Sequence, residues 1–335
     1  MYGMEFAICL KGDMGPKRTK AICRQAELAG FTTCWFYDSH ILWREPYPAM
    51  AMCMEHTESM SFGPCVTNPD VRDWSLAASL FASLAVQGEG RVEVCVGRGD
   101  SSRRMMSFKP ASIARMSDYV AAIKAMCRGE VVRYDDCPAE VQLKWSDFDL
   151  PVWIAAYGPK ALAAAGAFGD GLVLQIADPG LIEWFAGQAL AAGEKAGRDM
   201  SNFRVMAAAP AWIGPMDACI EQTRWFPAMV GNHVADIVEK YGKDSDLVPK
   251  SLTSYIERRK GYDYRQHAKK DAAHLDFVTE DVVESFSVLG EPEQHVQKLK
   301  ELEKIGVTQF NIYLMNTEEE RIVAEYADKI IPHFR

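Results

Sequence analysis

The chain has 335 residues, of which 48% are hydrophobic and 25% are charged, the balance of an ordinary globular protein. Acidic residues outnumber basic ones by 46 to 37, so the formal net charge is -9 at pH 7. This acidic balance argues against duplex nucleic acid and anionic membrane surfaces as general partners, and it leaves room for a local basic pocket that binds one anionic ligand. No window holds 18 consecutive apolar residues, so we predict no transmembrane helix and expect neither nucleic acid nor membrane as a partner.

Cysteine and histidine spacing indicates neither a disulfide framework nor a metal site. The nine cysteines are odd in number, scattered and never spaced C-x-x-C, and most have apolar neighbours, as reduced core thiols do. The seven histidines have no H-x-x-x-H or H-E-x-x-H spacing, so we predict no bound metal. The first residues lack the basic segment and the long apolar stretch of a signal peptide. We therefore expect a cytoplasmic protein.

Eight short apolar runs, rich in Val, Ile, Phe and Cys and bounded by Gly, Asp or Pro, predict buried strands. They are residues 4–10, 32–37, 61–66, 92–97, 152–156, 171–176, 203–213 and 307–314. Between them, apolar residues recur at spacings of three and four, which predicts helices. Examples run over 76–84 and 113–126, and a third helix begins near Pro292 and ends at Gly306.

Eight strands that alternate with helices predict an α/β fold, a (β/α)8 TIM barrel, as a single domain over residues 1–335. A doubly wound open sheet is the alternative, but no G-x-G-x-x-G motif opens the first strand–helix unit. Two stretches exceed a minimal barrel. Residues 128–150, after the fourth strand, predict a small hairpin. Residues 215–285, after the seventh strand, predict helical insertion material that covers the substrate pocket.

Barrel active sites lie at the carboxyl ends of the strands, so polar residues at these ends are candidates. The second run is followed by Asp38-Ser39-His40 and then by Trp43, an aromatic side chain that could stack on a planar ligand. The alternative for these residues is a hydrogen-bonded surface turn. The third run contains Gly63-Pro64, which interrupts strand chemistry and indicates a bulge, or a strand that simply ends early.

The fourth and fifth runs both lead into glycine-containing turns. Gly97-Arg98-Gly99-Asp100 follows the fourth run; glycine lets the backbone approach a ligand closely, and Asp100 could exchange a proton. Tyr157-Gly158-Pro159-Lys160 follows the fifth run and leads into an alanine-rich helix, whose N-terminal N–H groups suit a phosphate. Ordinary turn composition explains each motif equally well when it is taken alone.

Together, and in this order, the motifs resemble the bacterial-luciferase-like superfamily of flavin and deazaflavin oxidoreductases. The sequence is most similar to the branch that contains methylene-tetrahydromethanopterin reductase and the coenzyme F420-dependent glucose-6-phosphate dehydrogenase. The resemblance covers residues 4–179 and 286–314, and its most telling stretches are 63–72, 97–100, 155–162 and 169–171. It implies a TIM barrel that binds coenzyme F420 (a deazaflavin) or FMN.

The resemblance also implies roles for individual residues. His40 and Asp100 would be the catalytic residues, one of which manages the proton that accompanies hydride transfer. Cys65-Val66 would form a non-prolyl cis peptide bond behind the ring; alternatively, Pro64 supplies the kink and that bond is trans. The loop at Gly158 would bind the cofactor phosphate. The implied cofactor-binding residues are Trp43, Cys65, Val66, Thr67, Asn68, Gly99, Arg103, Tyr157, Gly158 and Pro159.

The resulting hypothesis is an oxidoreductase that transfers a hydride between reduced coenzyme F420 and a small organic substrate. The alternative within the superfamily is an FMN-dependent monooxygenase that receives reduced FMN from a partner flavin reductase. An alternative of another class is a cofactor-free barrel lyase, although no strand-end lysine stands out as a Schiff-base nucleophile. No lysine follows the sixth strand at Gln175-Ile176-Ala177-Asp178, where the sugar-phosphate enzyme grips its substrate, which argues against glucose 6-phosphate. By resemblance, we expect a homodimer.

Overall fold

The computed structural model of the chain describes residues 3–134, 137–230, 279–315 and 318–335. Eight parallel strands form a closed barrel in which the last strand pairs with the first. The described residues contain ten strands in all: β1 (Glu5–Leu10), β2 (Thr33–Phe36), β3 (Ser61–Thr67), β4 (Val94–Val96), β5 (Val152–Ala155), β6 (Gly171–Leu174), β7 (Arg204–Ala209), β8 (Ala211–Ile213), β9 (Val288–Gly290) and β10 (Gln309–Tyr313). The barrel contains all of these except β8 and β9, which pair with each other.

Helices surround the barrel and alternate with its strands, so the predicted (β/α)8 TIM barrel is confirmed. They are α1 (Pro16–Ala29), α2 (Pro46–Met54), α3 (Trp74–Gln87), α4 (Asp100–Arg104), α5 (Ile113–Cys127), α6 (Pro159–Phe168), α7 (Pro179–Lys195), α8 (Met216–Thr223), α9 (Glu280–Phe286), α10 (Pro292–Lys304) and α11 (Glu319–Lys329). None of the helices in the described part of the chain has the length and hydropathy needed to cross a membrane.

One predicted strand is wrong because it joins two strands, whereas the other seven predicted runs differ from the barrel strands at their ends alone. The apolar run 203–213 divides at Pro210 into barrel strand β7 and strand β8, which lies outside the barrel. Proline has no N–H to donate to a strand ladder, so continuous pairing ends there. The Pro210 carbonyl instead accepts a hydrogen bond from the backbone N–H of Val288, at 3.1 Å, next to the β8–β9 pairing.

The two predicted insertions are described only in part. Within 128–150, Val132 and Val141 form an antiparallel bridge with N···O distances of 2.8 and 2.9 Å, as a hairpin requires, while residues 135–136 lie outside the described residues. Most of the 215–285 stretch, residues 231–278, also lies outside them. The single-domain organisation with two insertions therefore stays a prediction.

A polar cluster closes the amino-terminal end of the barrel. The guanidinium of Arg204 donates hydrogen bonds to Glu93, at 2.9 Å, and to Glu5, at 2.6 Å. Its Cζ atom lies 4.3 Å from the ring centre of Trp153, whose indole N–H donates to Glu93 at 2.6 Å. Trp35 packs edge-on against Trp153 in the barrel interior. Because strands β1, β5 and β7 and Glu93, the residue before β4, all contribute side chains, the cluster fixes their relative positions at this end.

His295 joins three outer elements in the core. It is fully buried on α10, where Nδ1 lies 2.9 Å from the Tyr326 hydroxyl of α11 and Nε2 lies 3.2 Å from the Trp212 carbonyl of β8. Burial disfavours the charged imidazolium and lowers the pKa of His295 to about 4.

This burial predicts a specific acid sensitivity. The unfolded chain binds a proton at His295 below its ordinary pKa of about 6.5, whereas the folded chain stays neutral there until about pH 4, so stability is lost as the pH falls through this window. Between pH 7 and pH 5 the loss from this residue is roughly 2 kcal/mol. Urea unfolding at both pH values, compared with His295→Gln, measures it; equal pH dependence in the two proteins would contradict the prediction.

Candidate functional site

A cavity of about 200 Å³ opens at the carboxyl ends of four neighbouring barrel strands, β3 to β6. Its walls are the end of β3 at Cys65-Val66, residues 97–100 after β4, residues 155–158 after β5, and Val173 with Gln175 at β6. In a closed parallel barrel these ends share one rim, which is where TIM-barrel enzymes carry their active sites. The cavity is therefore the candidate active site.

Six of the sequence-predicted site residues line this cavity. They are Cys65, Val66, Gly99, Asp100, Tyr157 and Gly158. The peptide bond between Cys65 and Val66 is cis, which confirms the sequence-based expectation. The structure thus brings together the motifs that follow the third, fourth and fifth strands.

Four further predicted residues lie directly behind or beside the cavity wall. Thr67 and Asn68 are buried, and the Asn68 amide donates to the Ser102 hydroxyl at 3.0 Å, which ties the end of β3 to α4. Arg103 lies on α4 and pairs with Asp70 at 3.5 Å. Pro159 is the first residue of α6. Contacts of this kind position the lining residues.

His40 and Trp43 are not among the residues that line the cavity. Both lie in the partly exposed loop between β2 and α2, and the Lys11 ammonium sits 5.4 Å from the Trp43 ring centre. The preceding Ser39 connects this loop to the site, because its hydroxyl lies 2.7 Å from that of Ser101 on α4.

Asp38, which also follows β2, belongs to a buried polar cluster. Its carboxylate accepts a hydrogen bond from the Tyr47 hydroxyl at 2.7 Å and lies 3.6 Å from the Arg72 guanidinium. Arg72 also stacks over the Tyr47 ring and pairs with Glu45. The cluster joins α2 to the loops after β2 and β3, so we interpret Asp38 as a structural residue.

Two glycines let the backbone form the cavity wall. A Cβ atom on Gly97 would lie 2.9 Å from the Val66 side chain. Gly99 has a φ of +83°, and a Cβ atom there would lie 2.6 Å from Asn68 and 2.8 Å from Arg103. Only glycine meets both the backbone and the packing requirement at this second position.

A hydrogen-bond network of neutral groups forms another wall. The Tyr157 hydroxyl accepts from the Gln175 backbone N–H at 2.7 Å and lies 3.2 Å from the Gln175 side-chain oxygen. The Gln175 amide donates to the Tyr313 hydroxyl at 2.8 Å. Burial raises the pKa of both phenols, so they stay protonated. The network fixes the ends of β5, β6 and β10 relative to one another.

Charged side chains stand at the rim of the cavity. Arg98 and Lys160 are exposed lining residues, and Asp100 is a partly buried one that pairs with Arg104. Arg98, Lys160 and Gln175 were not predicted as site residues. Arg98 and Lys160 could have been predicted from the sequence, because they lie in the same turns as Gly99 and Gly158. Within the described residues, no group of three His, Cys, Asp or Glu side chains is arranged to hold a metal ion.

The conformation of Gly99 yields a prediction with a matched control. Gly99→Ala should destabilise the protein by about 1–3 kcal/mol, because the positive φ and the contacts with Asn68 and Arg103 both oppose a side chain. Gly187→Ala, in open space on α7, should instead stabilise by roughly 0.5–1 kcal/mol. Thermal unfolding of both variants measures this, and a Gly99→Ala protein as stable as the wild type would contradict the geometry.

Comparison with known proteins agrees with this architecture. The family model described as luciferase-like monooxygenase matches residues 4–309. A 5,10-methylenetetrahydromethanopterin reductase of Archaeoglobus fulgidus is 27% identical over 317 residues, which cover 91% of this chain and 92% of that protein. An F420-dependent glucose-6-phosphate dehydrogenase of Beutenbergia cavernae is 25% identical over 96% of this chain and 94% of that protein.

Among solved structures, the coenzyme F420 dependent tetrahydromethanopterin reductase from Methanopyrus kandleri has the same fold. It matches with a TM-score of 0.76 at 22% identity and covers 99% of this chain and 100% of that one. The strand order, the strand-end cavity and the match to the family model over most of the sequence lead to one assignment. The chain belongs to the luciferase-like monooxygenase family.

Proposed function

We propose that this protein is an oxidoreductase that transfers a hydride between reduced coenzyme F420 and a small organic substrate. The observation that carries the proposal is the strand-end cavity, which brings together six residues implied by the resemblance to this cofactor class. The curated relatives support it, because the two described above are named as a methylenetetrahydromethanopterin reductase and an F420-dependent dehydrogenase.

The cavity residues fit a planar ring with an anionic tail. Cys65-Val66 would form the wall behind the ring, and Gly97 and Gly99 line the same cavity with backbone atoms alone, so no side chain at these positions would separate the ring from the backbone. The phosphate of the tail would lie at Gly158, at the N-terminus of α6, where the positive end of the helix dipole favours an anion.

The rim cations add charge complementarity to this arrangement. Lys160 in the first turn of α6 and Arg98 after β4 both line the cavity and are exposed, so they can reach an anionic group without losing all their hydration. When bound, reduced coenzyme F420 supplies a hydride from the ring carbon that replaces the N5 nitrogen of a flavin.

Asp100 is the residue we propose to handle the proton. It lines the cavity at the start of α4, and its pairing with Arg104 holds the carboxylate in place. A positioned carboxylate can exchange a proton with a substrate oxygen or nitrogen within hydrogen-bond reach. His40 remains the alternative proton carrier; it would act from the loop after β2, outside the cavity lining.

The neutral network behind the ring has a positioning role in this proposal. Gln175 is held by Tyr157 and Tyr313, so its amide presents a fixed face to the cavity. Fixed dipoles hold the reacting groups in the correct orientation and do not have to reorganise during the reaction, as water would. Orientation and preorganised dipoles would therefore supply most of the rate enhancement of such an enzyme.

An FMN-dependent monooxygenase is the second candidate function, because the family model itself is described as a luciferase-like monooxygenase. Such an enzyme would depend on a partner flavin reductase.

We also propose a homodimer, for which α3 offers the exposed apolar side chains Leu76 and Val86. A cytoplasmic location likewise stays a prediction.

A titration with two cofactors separates the candidate functions. Purified protein is titrated anaerobically with coenzyme F420 and, separately, with FMN, and binding is followed by absorbance and fluorescence. We expect one equivalent of coenzyme F420 to bind, with FMN weaker by at least about tenfold, or about 1.4 kcal/mol. Tighter binding of FMN with oxygen-dependent product formation would favour the monooxygenase, and binding of neither would favour the cofactor-free lyase.

The role of Gly158 is tested by a bulky substitution. Gly158→Trp should weaken coenzyme F420 binding by about 100-fold, or about 2.7 kcal/mol, because the indole would occupy the phosphate position. The fold should persist, since Gly158 has an ordinary extended conformation with a φ of -82°. Gly187→Trp, on the exposed face of α7, is the matched control and should bind normally. Normal binding by Gly158→Trp would remove the phosphate site from this loop.

A further inference from the structure

A second cavity, of about 320 Å³, lies outside the barrel wall under the first turns of α1 and α2. Its floor is formed by Leu10 and Phe36, which pair in register at the ends of β1 and β2. Trp35 points into the barrel, where it contacts Trp153, so the next residue, Phe36, faces outward to the helices. We name this space the α1–α2 cavity.

The lining of the α1–α2 cavity is almost entirely apolar. Met14, Ala49 and Met52 form its sides, and Pro16 and Pro48 are exposed lining residues that mark its solvent side. Methionine side chains adapt to the shape of what they contact, so two of them around one space favour a ligand of variable outline.

The polar lining residues already have partners of their own. The Arg44 guanidinium donates to the Met14 carbonyl at 2.8 Å, and Glu45 pairs with Arg72. The Thr19 hydroxyl donates to the Gly15 carbonyl at 3.1 Å. A cationic ligand would lose its hydration on entry without gaining an equivalent partner, because the Glu45 carboxylate already pairs with Arg72.

The α1–α2 cavity is separate from the candidate active site, with which it has no lining residue in common. The loops after β1 and β2 pack closely above it: a Cβ atom on Gly12 would lie 3.2 Å from the Arg44 carbonyl oxygen and 3.5 Å from Trp43. The exposed edge at Pro16 and Pro48 therefore offers a ligand a route from solvent.

We propose that the α1–α2 cavity is a binding site for an uncharged, apolar small molecule, such as a short aliphatic chain or a single aromatic ring. Its volume, its apolar walls and the prior engagement of its few polar groups all select this ligand class. The inference goes beyond the proposed redox function and does not depend on it.

Toluene is the probe for this site, and n-hexylammonium, which is of similar size but charged, is the ligand control. Binding to the full chain is measured by saturation-transfer NMR and by the shift in unfolding temperature. We expect saturable toluene binding and at least about tenfold weaker binding of the cation. Absence of saturable toluene binding, or equal binding of both probes, would overturn the proposal.

Variants locate the bound probe. Ala49→Trp should fill the cavity and weaken toluene binding by about tenfold or more, whereas Ala163→Trp, at an exposed position on α6, should bind as the wild type does. If Ala49→Trp does not fold, Ala49→Leu makes the same test with a smaller side chain. Unchanged binding in the folded Ala49 variant would overturn the proposal.

Two further readouts distinguish a small-molecule site from a contact between subunits and from binding in the strand-end cavity. Light scattering of Ala49→Trp should give the same mass as the wild type; a loss of mass would mean that a second copy of the chain occupies the cavity, which would overturn the proposal. The dissociation constant for coenzyme F420 serves as an independent readout. Because the two cavities share no lining residue, saturating toluene should leave it unchanged, and direct competition would overturn the proposal by placing toluene in the strand-end cavity.

Discussion

Closure of the parallel barrel, completed where β10 pairs with β1, is the constraint on which the rest of the structure depends. Because all eight strands run in the same direction, closure brings all their carboxyl ends to one rim. Residues as distant in sequence as Cys65 and Gln175 then line the same cavity. The opposite end is closed by Arg204 and its carboxylate partners, Glu5 and Glu93. The chemistry is thereby confined to the open rim, where loops can vary without disturbing the pairing of the strands.

The sequence predicts the fold better than it predicts the site, and the reason is physical. Strand and helix periodicities are local and strong, so the eight-strand barrel follows from them. The one run that joins two strands is the run that Pro210 divides. Which residues line the site depends on how the strand-end turns pack in three dimensions, and a local sequence pattern does not determine this. Gly99 and Gly158 could be predicted from local chemistry. The position of Trp43 could not be predicted in this way. Tertiary contacts place its ring beside Lys11 and outside the cavity lining.

The distribution of charge around the strand-end cavity supports the proposed function. The phenols of Tyr157 and Tyr313 have pKa values that burial raises, so the wall that they form with Gln175 is uncharged at neutral pH. Among the described lining residues, the cations Arg98 and Lys160 and the carboxylate Asp100 lie farther out, where solvent reaches them. A neutral wall with two cations at the rim is complementary to a planar ring that carries an anionic tail, although the net charge of the whole chain is -9. The local arrangement, and not the overall charge, selects the ligand.

The central claim, that the strand-end cavity is the cofactor site, is tested most directly by a crystal structure of the protein with coenzyme F420 bound. We expect the ring against Cys65-Val66 and the phosphate at Gly158, at the N-terminus of α6 and within reach of Lys160. A cofactor bound elsewhere on the barrel, with this cavity empty, would contradict the account.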